Sequence, residues 1–239
     1  MSFNLVDNLY SLSIRVRSNG FSFSVYGNSN ELVLSENIEI QHVNNTIEYE
    51  QKISQTQIRN TSFKSFFLLV ESEEFTVVPT KSLIAENKYD LLKLQHPSLS
   101  MTNKIYHTEY ESDNFSVIFS FDEKIINIFL KYFPSLEVVH HLHFLLESNR
   151  LNTSERIYLQ IRESKFDIVC YKNNKLLLAN SYQYQIEEDI LYYIFRIFQL
   201  FSLDYNKTSI QLVKRNDIKT DIVTVLKEYI ANVSTSTII

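Results

Sequence analysis

Five basic residues stand at or beside the ends of strand-like segments: Arg15 and Arg17 in LSIRVR, Arg162 in IYLQIR, and Lys214-Arg215 after SIQLV. Guanidinium groups brought together hold a phosphate or a carboxylate through paired N–H donors. Kept apart, they are solvated or ion-paired surface charges, the commoner arrangement. The run His140-His141-Leu142-His143, with Glu147 beyond it, offers metal ligands, since His140, His143 and Glu147 would share one face of a helix. No second histidine or carboxylate cluster of metal-ligand spacing accompanies it, and no metal site is expected. His42, His96 and His107 stand alone. The single cysteine, Cys170, excludes an intrachain disulfide and a thiolate cluster, and is expected as a small buried residue of a strand. No nucleophile elbow, Walker loop or pair of catalytic carboxylates is recognisable in the sequence. With only Gly20 and Gly27 in 239 residues, the chain has little of the residue that lets a backbone wrap a phosphate. No cofactor is expected.

These residues need a folded body to hold them. Hydrophobic content of 44% against 21% charge predicts a packed core. The net charge of −5 argues against a nucleic-acid partner. No secretory segment opens the sequence, and no apolar run approaches the ~20 residues that span a membrane, so a soluble cytoplasmic protein is the expectation.

The body is organised as a repeat. At a constant offset of 145, Leu12 meets Ile157, Ile14 meets Leu159, Val16 meets Ile161, Arg17 meets Arg162, Phe21 meets Phe166 and Tyr26 meets Tyr171, without a gap. Each copy reads as three antiparallel strands, about 12–17, 21–26 and 31–40, then 156–162, 166–171 and 175–184. A helix of about 47–58 follows the first copy, opened by Asn45-x-x-Glu48. A helix from the acids Glu187-Glu188-Asp189 follows the second. Its ILYYIFRIFQLF sequence is apolar round most of its circumference, and predicts cover on more than one side. Between the copies, FFLLV and FTVV read as buried strands, and Pro79-Thr80 opens a helix to about Leu91. KIYHTEY reads as an edge strand and FSVIFSF as a strand with Phe115, Val117, Phe119 and Phe121 on one face. Asp122 caps a helix that stops near Pro134. LEVV is a short strand, HLHFLLESN a short helix and SIQLV a strand. A closing helix carries Ile222, Val225, Leu226, Tyr229, Ile230 and Val233 on one stripe. The halves divide as 1–140 and 141–239.

Two such halves in tandem, joined by a helix, resemble the actin-like ATPases, above all the bacterial pilus-assembly and cell-division members. FSVIFSFDEKIINIFLKYFPSLEVVHHLHFLLESN followed by RIYLQIRESKFDIVCY looks like their lead into the second half. The segments LSIRVRSNGFSFSVY, FTVVP and ILYYIF also resemble a bacterial family of unknown function with a degenerate version of this fold. The resemblance implies an α/β architecture of two tandem ribonuclease-H-like halves in an actin-like ATPase arrangement. It further implies that the first turn of each half should carry Asp-x-Gly, the Asp for metal and water and the Gly for phosphate. Here those places hold Arg15-Val16-Arg17 and Gln160-Ile161-Arg162. A third signature, a glycine pair against the adenosine, falls on Lys214-Arg215 in QLVKRND. Without carboxylates no ligand set for Mg²⁺ is apparent. A ribonuclease-H-like nuclease would need a carboxylate where Arg15 stands.

The expectation is therefore a non-catalytic pseudo-ATPase that serves as a protein-binding or assembly scaffold, with an unidentified protein partner and no enzymatic activity. The alternative is an anion- or nucleotide-binding protein in which Arg15, Arg17, Arg162, Lys214 and Arg215 converge on a basic cleft between the halves. A divergent enzyme with relocated residues ranks third. The apolar helix 190–201 is a candidate surface for self-association.

Overall fold

A computed structural model describes residues 9–29, 31–42, 45–147, 155–162, 164–214 and 221–237. Leu12, Ile14 and Val16 alternate with Ser11, Ser13, Arg15 and Arg17, and this period of two builds β1 (Ser11–Arg17) with one face wholly buried. β2 (Gly20–Tyr26) pairs antiparallel with β1, and β3 (Leu32–Glu39) with β2. α1 (Thr46–Gln55) starts where Asn45 Oδ1 accepts the Glu48 amide at 3.3 Å; the Glu48 carboxylate in turn accepts the Gln41 amide at 3.0 Å. This helix buries only Tyr49 and Ile53, which is why its apolar period is weak. Tyr49 nevertheless joins Phe21 and Phe129 in a ring cluster with centroids between 5.2 and 6.2 Å apart. β4 (Ser65–Val70) then runs parallel to β1, and β8 (Glu137–His140) parallel to β4, giving the order β3-β2-β1-β4-β8.

Between β4 and β8 a second sheet is inserted. β5 (Phe75–Pro79), β6 (Lys104–Tyr110) and β7 (Phe115–Phe121) take the order β5-β7-β6, with β6 at an edge as expected. β7 is buried at all seven positions and not on one face alone. Ile118 packs with Leu92 of α2 (Lys88–Gln95) and Leu99, while Phe119 on the other face meets Tyr106 and His140 at 5.6 and 5.3 Å. The helix expected from Thr80 to Leu91 is broken: two short turns, Thr80–Ser82 and Ala85–Asn87, precede α2. The break is fastened by Asn87, whose Oδ1 accepts the Ile84 amide at 3.1 Å and whose Nδ2 donates to the Ser82 carbonyl at 2.9 Å. α3 (Glu123–Tyr132) follows its Asp122 cap.

The chain divides into two compact units between His141 and Leu142. The second unit repeats the first sheet. β9 (Glu155–Ile161), β10 (Lys165–Lys172), β11 (Lys175–Gln183), β12 (Ser209–Lys214) and β13 (Asn232–Thr237) take the order β11-β10-β9-β12-β13. α5 (Glu187–Phe201) lies between β11 and β12, and α6 (Ile222–Tyr229) between β12 and β13. α4 (His143–Glu147) touches this sheet, with the Tyr171 hydroxyl donating to the Leu146 carbonyl at 3.1 Å.

Two expectations are corrected here. α5 buries one stripe, Ile190, Ile194, Ile197 and Phe198, while Tyr192 and Leu200 are 64% and 68% exposed. Its outer positions are apolar without being covered by the described residues of this unit. The closing helix ends at Tyr229 with Ile230 already extended, and Val233 belongs to β13. Val233 is in phase with the helical stripe, but the run VSTST suits a strand, and pairing with β12 supplies the ladder.

Candidate functional site

In open α/β sheets, ligands sit beyond the carboxyl ends of the strands, where the order reverses. For the first unit that place is the β1–β2 turn beside the end of β4. Gly20 closes the turn at φ 152°, and a Cβ there would lie 2.3 Å from the Ile38 carbonyl oxygen, so only glycine fits. The turn is plugged from α1. The Gly20 amide donates to the Tyr49 hydroxyl at 3.0 Å, and that hydroxyl donates to the Arg17 carbonyl. Burial pushes Tyr49 up to about 12, so the hydroxyl stays protonated as donor.

The second unit has the matching turn and a matching plug. The Arg162 amide donates to the Lys165 carbonyl at 2.8 Å, and the Tyr184 hydroxyl donates to the Arg162 carbonyl at 2.9 Å. The two hydroxyls arrive from different elements, one from a helix and one from the chain just past β11. Both satisfy the carbonyl of the equivalent arginine.

The basic residues are placed as follows. Arg15 and Arg17 share the outer face of β1, opposite Leu12, Ile14 and Val16. Arg15 Nη1 pairs with Glu71 Oε1 at 3.1 Å, with side chains 12% and 13% exposed. Arg17 Nη2 donates to Asn37 Oδ1 at 2.6 Å. Arg162 Nη2 pairs at 2.7 Å with Asp167 Oδ1, whose side chain is fully buried and also accepts the Ser181 hydroxyl. Lys214 ends β12, its backbone opposite Ile161 as Val70 is opposite Val16 in the first unit. Arg215 lies outside the described residues. Arg15 and Arg162 are thus held by carboxylates of their own unit. Sequence reasoning did not name Glu71, Asp167, Tyr49 or Tyr184. Asp167 was within reach, because a turn at 162–165 folds β10 back beside Arg162.

The histidines form a different object from the helical face that their spacing suggests. His140 ends strand β8, and only His143 is helical. His140 and His141 are buried, with ring centroids 4.1 Å apart and Phe75 at 4.3 Å from His140. Ring nitrogens lie 3.2 Å from the Ser72 carbonyl for His140 and 3.3 Å from the Val70 carbonyl for His141. They tie the end of β8 to the chain leaving β4. Among the described residues no group of three His, Cys, Asp or Glu side chains gathers with metal-binding geometry. Cys170 is buried in β10, and burial pushes its thiol up to about 12. No helix among the described residues is long and apolar enough to cross a membrane.

Two tandem sheets of identical order, each with a hairpin turn at the reversal point, define a protein of the actin-like ATPase fold with two ribonuclease-H-like halves. The family pattern described as "Protein of unknown function (DUF3822)" matches residues 3–233, and the chain belongs to that family. Among solved structures it is similar to a Bacteroides thetaiotaomicron protein of actin-like ATPase fold and unknown function. The TM-score is 0.77 and the identity 22%, over 96% of this chain and 91% of that one. It is also similar to a chain of the PilM–PilN type IV pilus biogenesis complex, with TM-score 0.62 and 9% identity over 95% and 88%. The ethanolamine utilization protein EutJ from Carboxydothermus hydrogenoformans gives 0.50 and 9% over 97% and 86%. At these identities the likeness establishes the fold. No curated protein matches the chain.

Proposed function

We propose that this chain is a non-catalytic member of the actin-like fold that works as a protein-binding scaffold. The observation that carries the reading is the plugged first turn: its Gly20 amide and Arg17 carbonyl are both spent on Tyr49. An amide bonded to a neighbouring hydroxyl is not offered to a phosphate. Arg-for-Asp at Arg15 supports it by removing the carboxylate that Mg²⁺ prefers, and Arg-for-Gly at Arg17 by putting a side chain where the backbone would approach a phosphate. The Arg15–Glu71 and Arg162–Asp167 pairs support it too, each basic side chain being already held. PilM, a neighbour in fold, is known in complex with the protein PilN, which makes a protein partner a natural use for the body that remains.

A second reading is favoured by one side chain. Arg17 bonds the neutral Asn37, and its charge suits an inorganic anion at the mouth of the first turn. Thermal-shift measurements with ATP, ADP and GTP, each with and without Mg²⁺, and with phosphate and pyrophosphate, separate the two. A ligand at 100 times its Kd adds about 2.7 kcal/mol. The scaffold reading expects no shift. An Mg²⁺-dependent nucleotide shift would overturn it, and an anion shift abolished in Arg17→Ala would establish the second reading in its place.

A further inference from the structure

Both units set an edge strand beside a helix and treat the space between them differently. In the first unit β3 is the edge of its sheet, and α1 lies over the face that carries Phe21. Between strand and helix is a cavity of about 470 Å³. It is walled by Glu36 to Glu39 of β3 on one side and by Lys52, Gln55 and Thr56 at the end of α1 on the other. In the second unit Tyr182 of β11 takes the place of Ile38, since it pairs with Phe166 as Ile38 pairs with Phe21. Tyr182 stacks on Tyr193 of α5 at 4.2 Å, so that this unit joins strand to helix with its own rings. The topology therefore does not impose an open groove, and the first unit keeps one.

The strand wall offers backbone as well as side chains. The Ile40 amide donates inward to the Asn19 carbonyl at 3.0 Å. Antiparallel pairing alternates along a strand, so Ile38 and Glu36 also turn inward, while the amides and carbonyls of Glu39, Asn37 and Ser35 turn outward. A row of such groups is matched by the backbone of an added strand.

The charges choose which strand. Glu36 lies in the cross-strand row of Ile14 and Phe23, on the helix side of the sheet, and Glu39 lies on the other face, in the row of Gly20 and Arg17. Among the described residues neither carboxylate is held in an ion pair, and Arg17 is bonded to Asn37. A second copy of β3 would bring these carboxylates against their own kind, in a protein of net charge −5. A strand with basic side chains meets the same two groups as cross-strand partners.

We propose that the β3–α1 groove is a peptide-docking site, where an extended basic segment of a partner protein adds to the edge of β3. Its side chains on the helix side meet Glu36, and those on the other face meet Glu39. Lys52 stands on the opposite wall of the groove, away from the ladder. This deepens the scaffold reading by giving the chemistry of the partner.

Selection of displayed random peptides of about eight residues, an ordinary strand length, against the full chain tests it. The selected peptides, synthesised and measured by fluorescence anisotropy, are expected to carry Lys or Arg and to bind more weakly as salt rises. Reversing both carboxylates, Glu36→Lys with Glu39→Lys, weakens them at least tenfold. Asn37→Pro removes one outward amide at an edge position, where proline is tolerated, and weakens them several-fold. Lys175→Glu, on the β11 edge, leaves binding unchanged. A selection that yields no binders or binders without basic residues, or binding unmoved by the charge reversal, overturns the proposal. So does a dimer in sedimentation velocity that Asn37→Pro dissolves, which would give the edge to a second copy. Should Asn37→Pro fail to fold by circular dichroism, the charge reversal alone decides. Failed peptide binding without any nucleotide shift ends this inference and leaves the scaffold reading standing. An Mg²⁺-dependent nucleotide shift with peptide binding intact does the reverse.

Discussion

The first half and the second half solve one topology with different means. Both run three antiparallel strands, a helix, a parallel strand, a helix and a last parallel strand. The second passes from β12 through α6 directly to β13. The first inserts the β5-β7-β6 sheet and α2 before α3, and buries Ser72, Ser116, Ser120, His140 and His141 in the unit that carries it. At the shared turn the first half relies on a glycine and a helix tyrosine. The second relies on Arg162 and Asp167. Position 20 is glycine in one copy and its counterpart, Lys165, bears a side chain in the other. A duplicated backbone therefore does not duplicate its supports, and each support can be removed in one half with the other half as control.

The largest contrast lies in the ion pairs. Asp167→Ala strips a fully buried carboxylate from Arg162 and is expected to cost about 3 kcal/mol or more in urea unfolding. Glu71→Ala breaks the slightly wetter Arg15 pair and should cost about 1–2 kcal/mol. Equal losses would mean that burial does not distinguish the two sites. Next comes the turn itself. Gly20→Ala meets both the positive φ and the Ile38 carbonyl, for a loss of about 2 kcal/mol, while Lys165→Ala stays within about 0.5 kcal/mol. A silent Gly20→Ala would show that the β1–β2 turn relaxes freely.

The tyrosine plugs give a smaller difference. Tyr49→Phe leaves a buried amide and carbonyl short of a partner, at about 1–2 kcal/mol, and Tyr184→Phe loses one bond, at about 1 kcal/mol. If Tyr49→Phe also created an anion-dependent thermal shift, the plug would be what closes the site. The smallest effect is a pH dependence confined to the second half. Burial alone would raise Glu155, but the Asp204 amide, the Thr208 hydroxyl and Lys172 outweigh it and hold the carboxyl below its usual range. A lowered folded-state value means that its stabilisation is present above the unfolded value and lost as pH falls through the folded one. Between about pH 5 and about pH 3, wild type should lose more stability than Glu155→Gln, read as the shift in urea midpoint.

How much of this could be read from residues alone follows from distance along the chain. The hairpins were legible because alternation and turn lie within a dozen residues, and the ungapped match of Leu12–Tyr26 to Ile157–Tyr171 exposed the duplication. β13 was not, because Val233 satisfies both the α6 stripe and the β12 ladder, and only the presence of a neighbouring strand decides between them. α5 misled for the opposite reason: Tyr192 and Leu200 are apolar and exposed. At the site, the arginines were visible and their partners unevenly so. Asp167 lies five residues from Arg162 across one turn, whereas Glu71 is 56 residues from Arg15 and reaches it only through the parallel pairing of β1 with β4. The tyrosine plugs had no signature, since Tyr49 and Tyr184 occupy unrelated places in the repeat.

Cys170 has a practical consequence. It is the sole thiol of the chain, sits in the core of the second sheet, and with its value pushed up to about 12 is protected as well as enclosed. A thiol-labelling reagent can reach it only when the second half opens. Its labelling rate is thus a clock for the opening of that half.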